Sequence, residues 1–88
     1  DNVVTTLNFI KKGDEVTAIG LETKIIARED IISGHKVAVE NINKWDIVVK
    51  YGKKIGIALE DILVGDLVHI HNIRSDRGKE LRGEGIDV

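Results

Sequence analysis

Two histidines near the end of the chain, His69 and His71, have the spacing that indicates chemistry most directly. If this segment is a strand, both imidazoles project from one face, while Val68 and Ile70 point toward the core. Two neutral imidazoles on one exposed face can ligate a divalent metal ion, with a third ligand supplied from elsewhere. The alternative is a half-exposed strand whose polar face carries histidine without a further role.

A third histidine, His35, follows a glycine turn and precedes a predicted strand. A histidine in this position can act as a general acid or base, serve as a third metal ligand, or donate a hydrogen bond to turn carbonyls. Its neighbour Lys36 can bind a substrate carboxylate. The alternative for Lys36 is a solvated charge, which is the usual situation of lysine.

Lys50 and Tyr51 stand where a predicted strand meets a glycine turn. Together they can offer a carboxylate a cation and a hydroxyl donor, and Gly52 and Gly56 permit close backbone approach. The alternative is a hairpin in which the Tyr51 ring packs against the sheet. Further along, Asn72 faces away from the histidine pair in a regular strand, whereas a bend would reverse that direction.

The composition limits the class of protein. The 88 residues allow one modest core, and because only 3% are aromatic, isoleucine, valine and leucine must build it. A net charge of −2 argues against nucleic acid as the main partner. The chain has no cysteine, which excludes disulfides and thiolate chemistry, and it has no apolar run of membrane-spanning length. We expect a cytoplasmic protein that contacts neither nucleic acid nor membrane.

The first segment predicts a short helix. Val3, Leu7 and Ile10 recur at helical spacing, and Asp1 or Asn2 can act as the cap. After the glycine that would end this helix, short β-branched runs bounded by glycine, asparagine or charged residues predict strands. These runs cover 16–19, 24–27, 36–39, 47–50, 55–58 and 67–70.

A short unit recurs along the chain. The segment 29–37 matches 60–68, and 40–48 and 10–16 are looser copies. In each unit an aspartate or asparagine is expected to start a single helical turn, an isoleucine to point inward, a glycine to end the turn in a left-handed conformation, and a valine to enter the core. The acidic pairs that open the two best copies are therefore assigned to capping. Trp45 replaces the glycine of the middle copy and either covers the core or marks a contact surface.

Four separated blocks resemble the SAF domain that opens altronate and galactarate dehydratases. They are Asp-Asn-Val-Val-Thr-Thr-Leu at 1–7, Gly-His-Lys-Val-Ala-Val at 34–39, Lys-Tyr-Gly-Lys-Lys-Ile-Gly at 50–56 and Val-His-Ile-His-Asn at 68–72. The resemblance covers roughly 1–73 and implies a mostly β fold, a SAF-type β-clip of short strands and turns. The remainder, 74–88, is predicted to be a charged, glycine-rich tail or linker.

The resemblance also implies a function. It implies a lyase that acts on sugar acids, depends on a divalent metal, often iron, and places most of its catalytic machinery on a larger subunit or domain. The isolated chain is then expected to be inactive, and a homo-oligomer is compatible with the sequence. On this basis His69 and His71 are candidate metal ligands and His35 a candidate catalytic residue. The candidate substrate-binding residues are Asn2, Lys36, Lys50, Tyr51 and Asn72.

Two other functions fit the same resemblance. The small subunit of a sulfolactate sulfo-lyase shares the pattern of blocks. Other SAF domains serve as non-catalytic modules that bind a carbohydrate or an assembly partner, and a module of that kind needs no chemistry at the histidines.

Overall fold

Short antiparallel strands form the whole described fold. The computed structural model describes residues 1–75. Its strands are β1 (Val3–Thr5), β2 (Lys36–Ala38), β3 (Ile47–Lys50), β4 (Lys53–Ala58), β5 (Leu67–Val68) and β6 (Ile73–Ser75). They form two three-stranded sheets with the orders β1-β2-β5 and β3-β4-β6. The predicted mostly β fold is confirmed.

The predicted N-terminal helix is wrong, because its first residues form β1. Val3 is buried opposite Ala38 of β2, whereas Leu7 is 52% exposed and Ile10 makes an isolated bridge with Ile31. Four consecutive β-branched residues begin at Val3, and their restricted side-chain rotamers favour the extended backbone. No helix occurs in residues 1–75, so this part of the chain contains none that could cross a membrane.

Two of the predicted strands are reduced to single bridges. Ala18 pairs only with Thr6, and Glu15 pairs only with Ile26. A turn at Gly20, whose φ is +85°, separates the two apolar runs before either can extend a ladder. The predicted strands at 36–39, 47–50 and 55–58 coincide with β2, β3 and β4. The last strand, β6, reaches Ser75, and the rest of the predicted tail lies outside the described residues.

The internal repeat is present as two similar halves offset by about 31 residues. Asp30 Oδ1 accepts the Lys12 backbone N–H at 2.8 Å, and Asp61 Oδ1 accepts the Lys44 N–H at 2.9 Å. Each aspartate therefore bonds to a neighbouring segment, and the helical turn expected after it does not form. The rest of the predicted unit is confirmed by buried Ile31 and Ile62, left-handed Gly34 and Gly65, and buried Val37 and Val68.

The core consists of two aliphatic clusters on opposite sides of β2. Val37 points into one cluster and Ala38 into the other, as expected for alternating side chains on a strand. The first cluster contains Val3, Ala38, Ile42, Val48, Ala58, Ile62 and Val68. The second contains Ile10, Val16, Ile25, Ala27, Ile31 and Val37. Neither buried cluster of the described residues includes an aromatic side chain, so every aromatic ring is left for the surface.

Candidate functional site

The segment that carries two of the histidines is a turn. β5 ends at Val68, and residues 69–72 bend back toward β6. Ile70 is 77% exposed, and His71 is also exposed. The prediction that the two histidines share one strand face while Ile70 enters the core is therefore wrong, because the strand ends before the alternation can develop.

Asn72 builds this turn with its side chain. It is only 3% exposed, its Oδ1 accepts the His69 N–H at 2.9 Å, and its Nδ2 donates to the Leu67 carbonyl at 2.8 Å. Its own backbone N–H donates to the His69 carbonyl at 3.0 Å. Both ends of the amide are thus engaged by the backbone, and Asn72 positions His69. Substrate binding by Asn72 stays a prediction.

The register of the first sheet brings His69 to His35. Lys36 of β2 pairs with Val68 of β5, so the residues just outside this pair face each other across the antiparallel strands. The two imidazole rings lie 4.7 Å apart between centroids, tilted by 50°. His35 Nδ1 is buried and has no hydrogen-bond partner within the described protein. The structure therefore joins two histidines that are 34 positions apart in sequence.

Basic groups surround His69. Partial desolvation lowers the pKa of His69 below its ordinary value, and the neighbouring His35, His71 and Lys36 lower it further by disfavouring a second positive charge. The neutral form of His69 is therefore favoured, and it can accept a hydrogen bond or a proton. The four residues together form a basic cluster that can receive an anion, since an anion offsets the charge of Lys36. This basic cluster is defined as His35, Lys36, His69 and His71.

The histidines do not form a metal centre by themselves. Residues 1–75 contain no group of three histidine, cysteine, aspartate or glutamate side chains placed to hold a metal ion. A divalent metal such as iron therefore does not fit this chain as a resident group without ligands from another chain or domain. Ligation by His69 and His71 stays a prediction that depends on such ligands.

Lys50 and Tyr51 form a second polar feature at the β3–β4 turn. Lys50 Nζ lies 3.5 Å from the centroid of the Tyr51 ring, and the ring is 80% exposed. The lysine lowers the pKa of the Tyr51 hydroxyl, chiefly by hydrogen bonding and also by its charge. The alternative in which Tyr51 packs against the sheet is wrong, because its left-handed backbone (φ +55°) turns the ring outward.

A groove of about 260 Å³ runs beside this pair. It is lined by Asp1, Val3, Val4, Thr5, Thr6, Leu7, Ile19, Lys50 and Tyr51. Thr5 connects the groove to the basic cluster, since it lies directly opposite Lys36 in the register of β1 and β2. The two predicted substrate-binding lysines are thus linked through β1, since Lys50 lines the groove and Lys36 pairs with Thr5 of the same lining.

The first two residues fasten the N-terminus to the second sheet. Asp1 accepts the N–H groups of Tyr51 and Gly52 at 2.7 and 2.9 Å, and Asn2 Oδ1 accepts the Val49 N–H at 2.7 Å. Their interpretation as helix caps is wrong, because the N–H groups they satisfy belong to the β3–β4 hairpin. Substrate binding by Asn2 stays a prediction, and its amide oxygen already has a backbone partner.

Two further residues have roles that the sequence did not indicate. Thr6 is buried, and its hydroxyl lies 3.2 Å from the Ile32 carbonyl and 3.3 Å from the His35 carbonyl, so it holds the turn that carries His35. Gly56 was expected to permit close backbone approach, and a Cβ there would lie 2.6 Å from the Arg74 carbonyl. Close approach by β6 is therefore what this glycine permits.

The fold and this surface define a SAF-type β-clip domain with a basic cluster at one sheet edge. The family model described as the altronate/galactarate dehydratase SAF domain matches residues 1–76. The chain belongs to this family. Arg74 and Ser75 of β6 lie inside the match, so the domain includes the last described strand.

Curated relatives carry the names of lyases. The altronate dehydratase of Bacillus subtilis (strain 168) is 40% identical over 76 residues, and that of Escherichia coli (strain K12) is 42% identical over 76 residues. Both alignments cover 86% of this chain and 15% of the relative, so the chain spans about a seventh of either enzyme. The (2R)-sulfolactate sulfo-lyase subunit alpha of Paracoccus pantotrophus is 39% identical over 62 residues, covering 70% of this chain and 92% of that subunit.

Proposed function

We propose that this chain is the SAF part of a sugar-acid hydro-lyase of the altronate dehydratase type. In this proposal it contributes the basic cluster to an active site completed by a larger catalytic subunit or domain. Two relatives named altronate dehydratase support the assignment, and their length leaves room for the larger part.

The contact between His35 and His69 is the observation that carries the proposal. The rings meet at 4.7 Å although each belongs to a different turn, and Lys36 and His71 add two further basic groups to the same place. A domain that needed only stability would gain little from gathering four basic groups beside a buried imidazole nitrogen without a partner. A carboxylate-bearing substrate explains the arrangement, because it supplies the missing negative charge.

The chemistry of a sugar-acid dehydratase requires groups of this kind. A base removes the proton beside the carboxylate, the carbon–oxygen bond one carbon further on breaks, and the departing hydroxyl takes a proton and leaves as water. Lys36 and His71 would hold the carboxylate and stabilise the charge that builds up as the proton leaves. His35, with His69 neutral beside it, would transfer the proton. A metal bound with ligands from the larger part would add Lewis-acid stabilisation.

The decisive test replaces single members of the basic cluster in an assembled enzyme. A suitable enzyme is Bacillus subtilis altronate dehydratase in which residues 1–76 of this chain replace the aligned stretch. His35→Gln should lower kcat/KM for altronate by about 10²-fold or more, the usual effect of losing acid–base catalysis. His69→Gln and Lys36→Met should also lower kcat/KM, because they remove the neighbour of His35 and the cation that holds the carboxylate. The matched control, Lys24→Met, removes an exposed lysine that is outside the basic cluster and should leave kcat/KM unchanged.

The same experiment separates the alternatives. If all three cluster variants keep the turnover of the unsubstituted chimera, the chain is a non-catalytic module and the proposal is wrong. A loss of activity with unchanged thermal unfolding supports the proposal, because the fold is then intact.

The sulfo-lyase function is the second candidate. The alignment covers 92% of the Paracoccus pantotrophus subunit alpha, a relative in which a chain of this size is itself a subunit. In that case the basic cluster would hold sulfolactate and assist elimination of sulfite instead of water. Parallel assays of the assembled enzyme on altronate and on sulfolactate distinguish the two substrates.

A further inference from the structure

An exposed apolar patch lies on the second sheet. Trp45 is 60% exposed and Ile47 is 49% exposed, and Ile47 pairs with the partly exposed Ile57 across β3 and β4. Ile57 belongs to neither of the two core clusters described above. These three residues are called the tryptophan patch.

The two halves of the repeat show that the fold does not require a tryptophan here. The Trp45 N–H donates to the Ala58 carbonyl at 2.8 Å, and the Gly13 N–H donates to the Ala27 carbonyl at 2.9 Å. Both residues have a positive φ, +79° for Trp45 and +92° for Gly13. Trp45 therefore occupies the position that Gly13 occupies in the first half, where a glycine satisfies the backbone.

The neighbouring position shows the same difference. Ile47 pairs with Ile57, and in the first half Glu15 makes the corresponding bridge with Ile26. The same position therefore carries an exposed glutamate in the first half and an isoleucine in the second. Ile57 corresponds to Ile26, an isoleucine in both halves, so Trp45 and Ile47 are the two apolar residues that the second half alone presents.

The left-handed backbone at Trp45 points to a binding role. A bulky aromatic residue rarely adopts this conformation, and residues held in it concentrate where the surrounding structure or a ligand uses them. Lys44 Nζ lies 5.0 Å from the centroid of the Trp45 ring. Neither the core nor the turn explains why a tryptophan stands here.

We propose that the tryptophan patch is the surface on which the larger catalytic part of the dehydratase docks. The identity of this occupant rests on the proposed function. Lys44 beside the ring and Arg74, which pairs with Ile57, are positive, whereas the exposed Asp46 between Trp45 and Ile47 and the nearby Asp61, which accepts the Lys44 N–H, are negative. The complementary surface is therefore an apolar pocket for the indole with a rim that carries both signs of charge. The chain matches only 15% of either altronate dehydratase, so the larger part of such an enzyme is the occupant to expect. Because tryptophan is the residue most often dominant at interfaces, Trp45 is the expected anchor.

Radical footprinting tests the proposal, since Trp45 is the single tryptophan of the chain. The oxidation rate of Trp45 is measured by mass spectrometry in the 88-residue chain and in the Bacillus subtilis chimera. Docking should lower this rate about fivefold or more, because an interface anchor is desolvated. The exposed Phe9 of the first half serves as the internal reference and should not change.

Substitutions taken from the first half give matched variants. Ile47→Glu, which copies Glu15, should restore the Trp45 oxidation rate of the isolated chain. The control, Ile26→Thr, alters an equally exposed isoleucine of the first half and should preserve the protection. His35→Gln should also preserve it, so a failure of the catalytic proposal remains distinguishable from a failure of docking.

Three outcomes would overturn the inference. The first is an oxidation rate of Trp45 that is the same in the isolated chain and in the chimera. The same rate must also be found when the 88-residue chain is mixed with a dehydratase that lacks its aligned stretch, because this mixture excludes misfolding of the chimera as the cause. The second is protection that survives Ile47→Glu. The third is protection that rises with the concentration of the isolated chain to the level of the chimera, because a second copy would then be the occupant.

Discussion

Single side chains decide the shape of the basic cluster. Asn72 ends β5 and closes a turn after it, since its side-chain amide accepts the His69 N–H and donates to the Leu67 carbonyl. Thr6 does similar work on the other side by holding the turn before His35. The contact between the two imidazoles therefore depends on two small polar residues that need not touch a substrate.

Replacement of Asn72 should destabilise the domain and disturb the site together. Asn72→Ala takes the side-chain partner from the part-buried His69 N–H and Leu67 carbonyl, which costs about 1–2 kcal/mol of unfolding free energy. Urea denaturation measures this loss, and the His69 imidazole resonance should shift as the turn opens. Asn8→Ala, at an exposed asparagine, should change stability by less than about 0.5 kcal/mol. An Asn72→Ala protein as stable as this control would contradict the assigned role.

His69 should make stability depend on pH. Its pKa is lower in the folded protein than in the unfolded chain because of burial and the neighbouring positive groups. At pH 7.5, above both pKa values, it contributes nothing; as the pH falls below about 6.5, the unfolded chain takes up the proton first and the folded state loses stability.

The urea midpoint should therefore fall less between pH 7.5 and pH 5.5 in His69→Gln than in the unsubstituted chain. The comparison between the two proteins removes the contribution of the carboxylates, which is common to both. Identical pH dependence would show that the environment of His69 does not disfavour its charge.

Sheet register determines which residues meet. The pairing of Lys36 with Val68 places His35 and His69 at the same end of β2 and β5, and the pairing of Lys36 with Thr5 connects that end to the groove. In the second sheet, β6 packs so closely on β4 that Gly56 has no room for a side chain. The elements are short, so a shift of one residue would separate every one of these contacts.

Gly56→Ala should weaken the second sheet. The added Cβ would approach the Arg74 carbonyl to 2.6 Å, so β6 must move away from β4. Overpacking of this kind typically costs about 1–3 kcal/mol. Thermal unfolding measures the change, and Lys53→Ala, at an exposed position on the same strand, is the control with little expected effect. Equal melting temperatures for the two variants would show that the strands adjust without loss.

The molecule as a whole is a duplicated fold, and both proposed functional surfaces lie where the two halves differ. His35 of the first half corresponds to Asp66 of the second, which uses its carboxylate to accept the Leu63 N–H within its own turn. Trp45 of the second half corresponds to Gly13 of the first. The shared backbone bonds provide stability, and the differing side chains provide the basic cluster and the tryptophan patch. A larger part docked on the patch would share the domain with a substrate held at the cluster.

The sequence by itself determined the fold class, the repeat and the family. Apolar residues at short regular intervals, glycines at the turn ends and the four separated blocks are local features, and local chemistry is enough to identify them. It also identified the histidines as the residues to examine. The end of the strand at Val68 was not visible, because an asparagine side chain four residues later replaces the ladder that the alternation predicts.

Tertiary structure alone decided which groups meet. The approach of His69 to His35, the use of Asp1 and Asn2 by a hairpin about fifty residues away, and the exposure of Trp45 all depend on pairings between distant segments. The spacing of apolar residues at the start of the chain predicts a helix, but these residues are β-branched and pair with β2. The strand pairing outweighs a weak local helical preference. Long-range pairing fixes geometry that one-dimensional spacing does not contain.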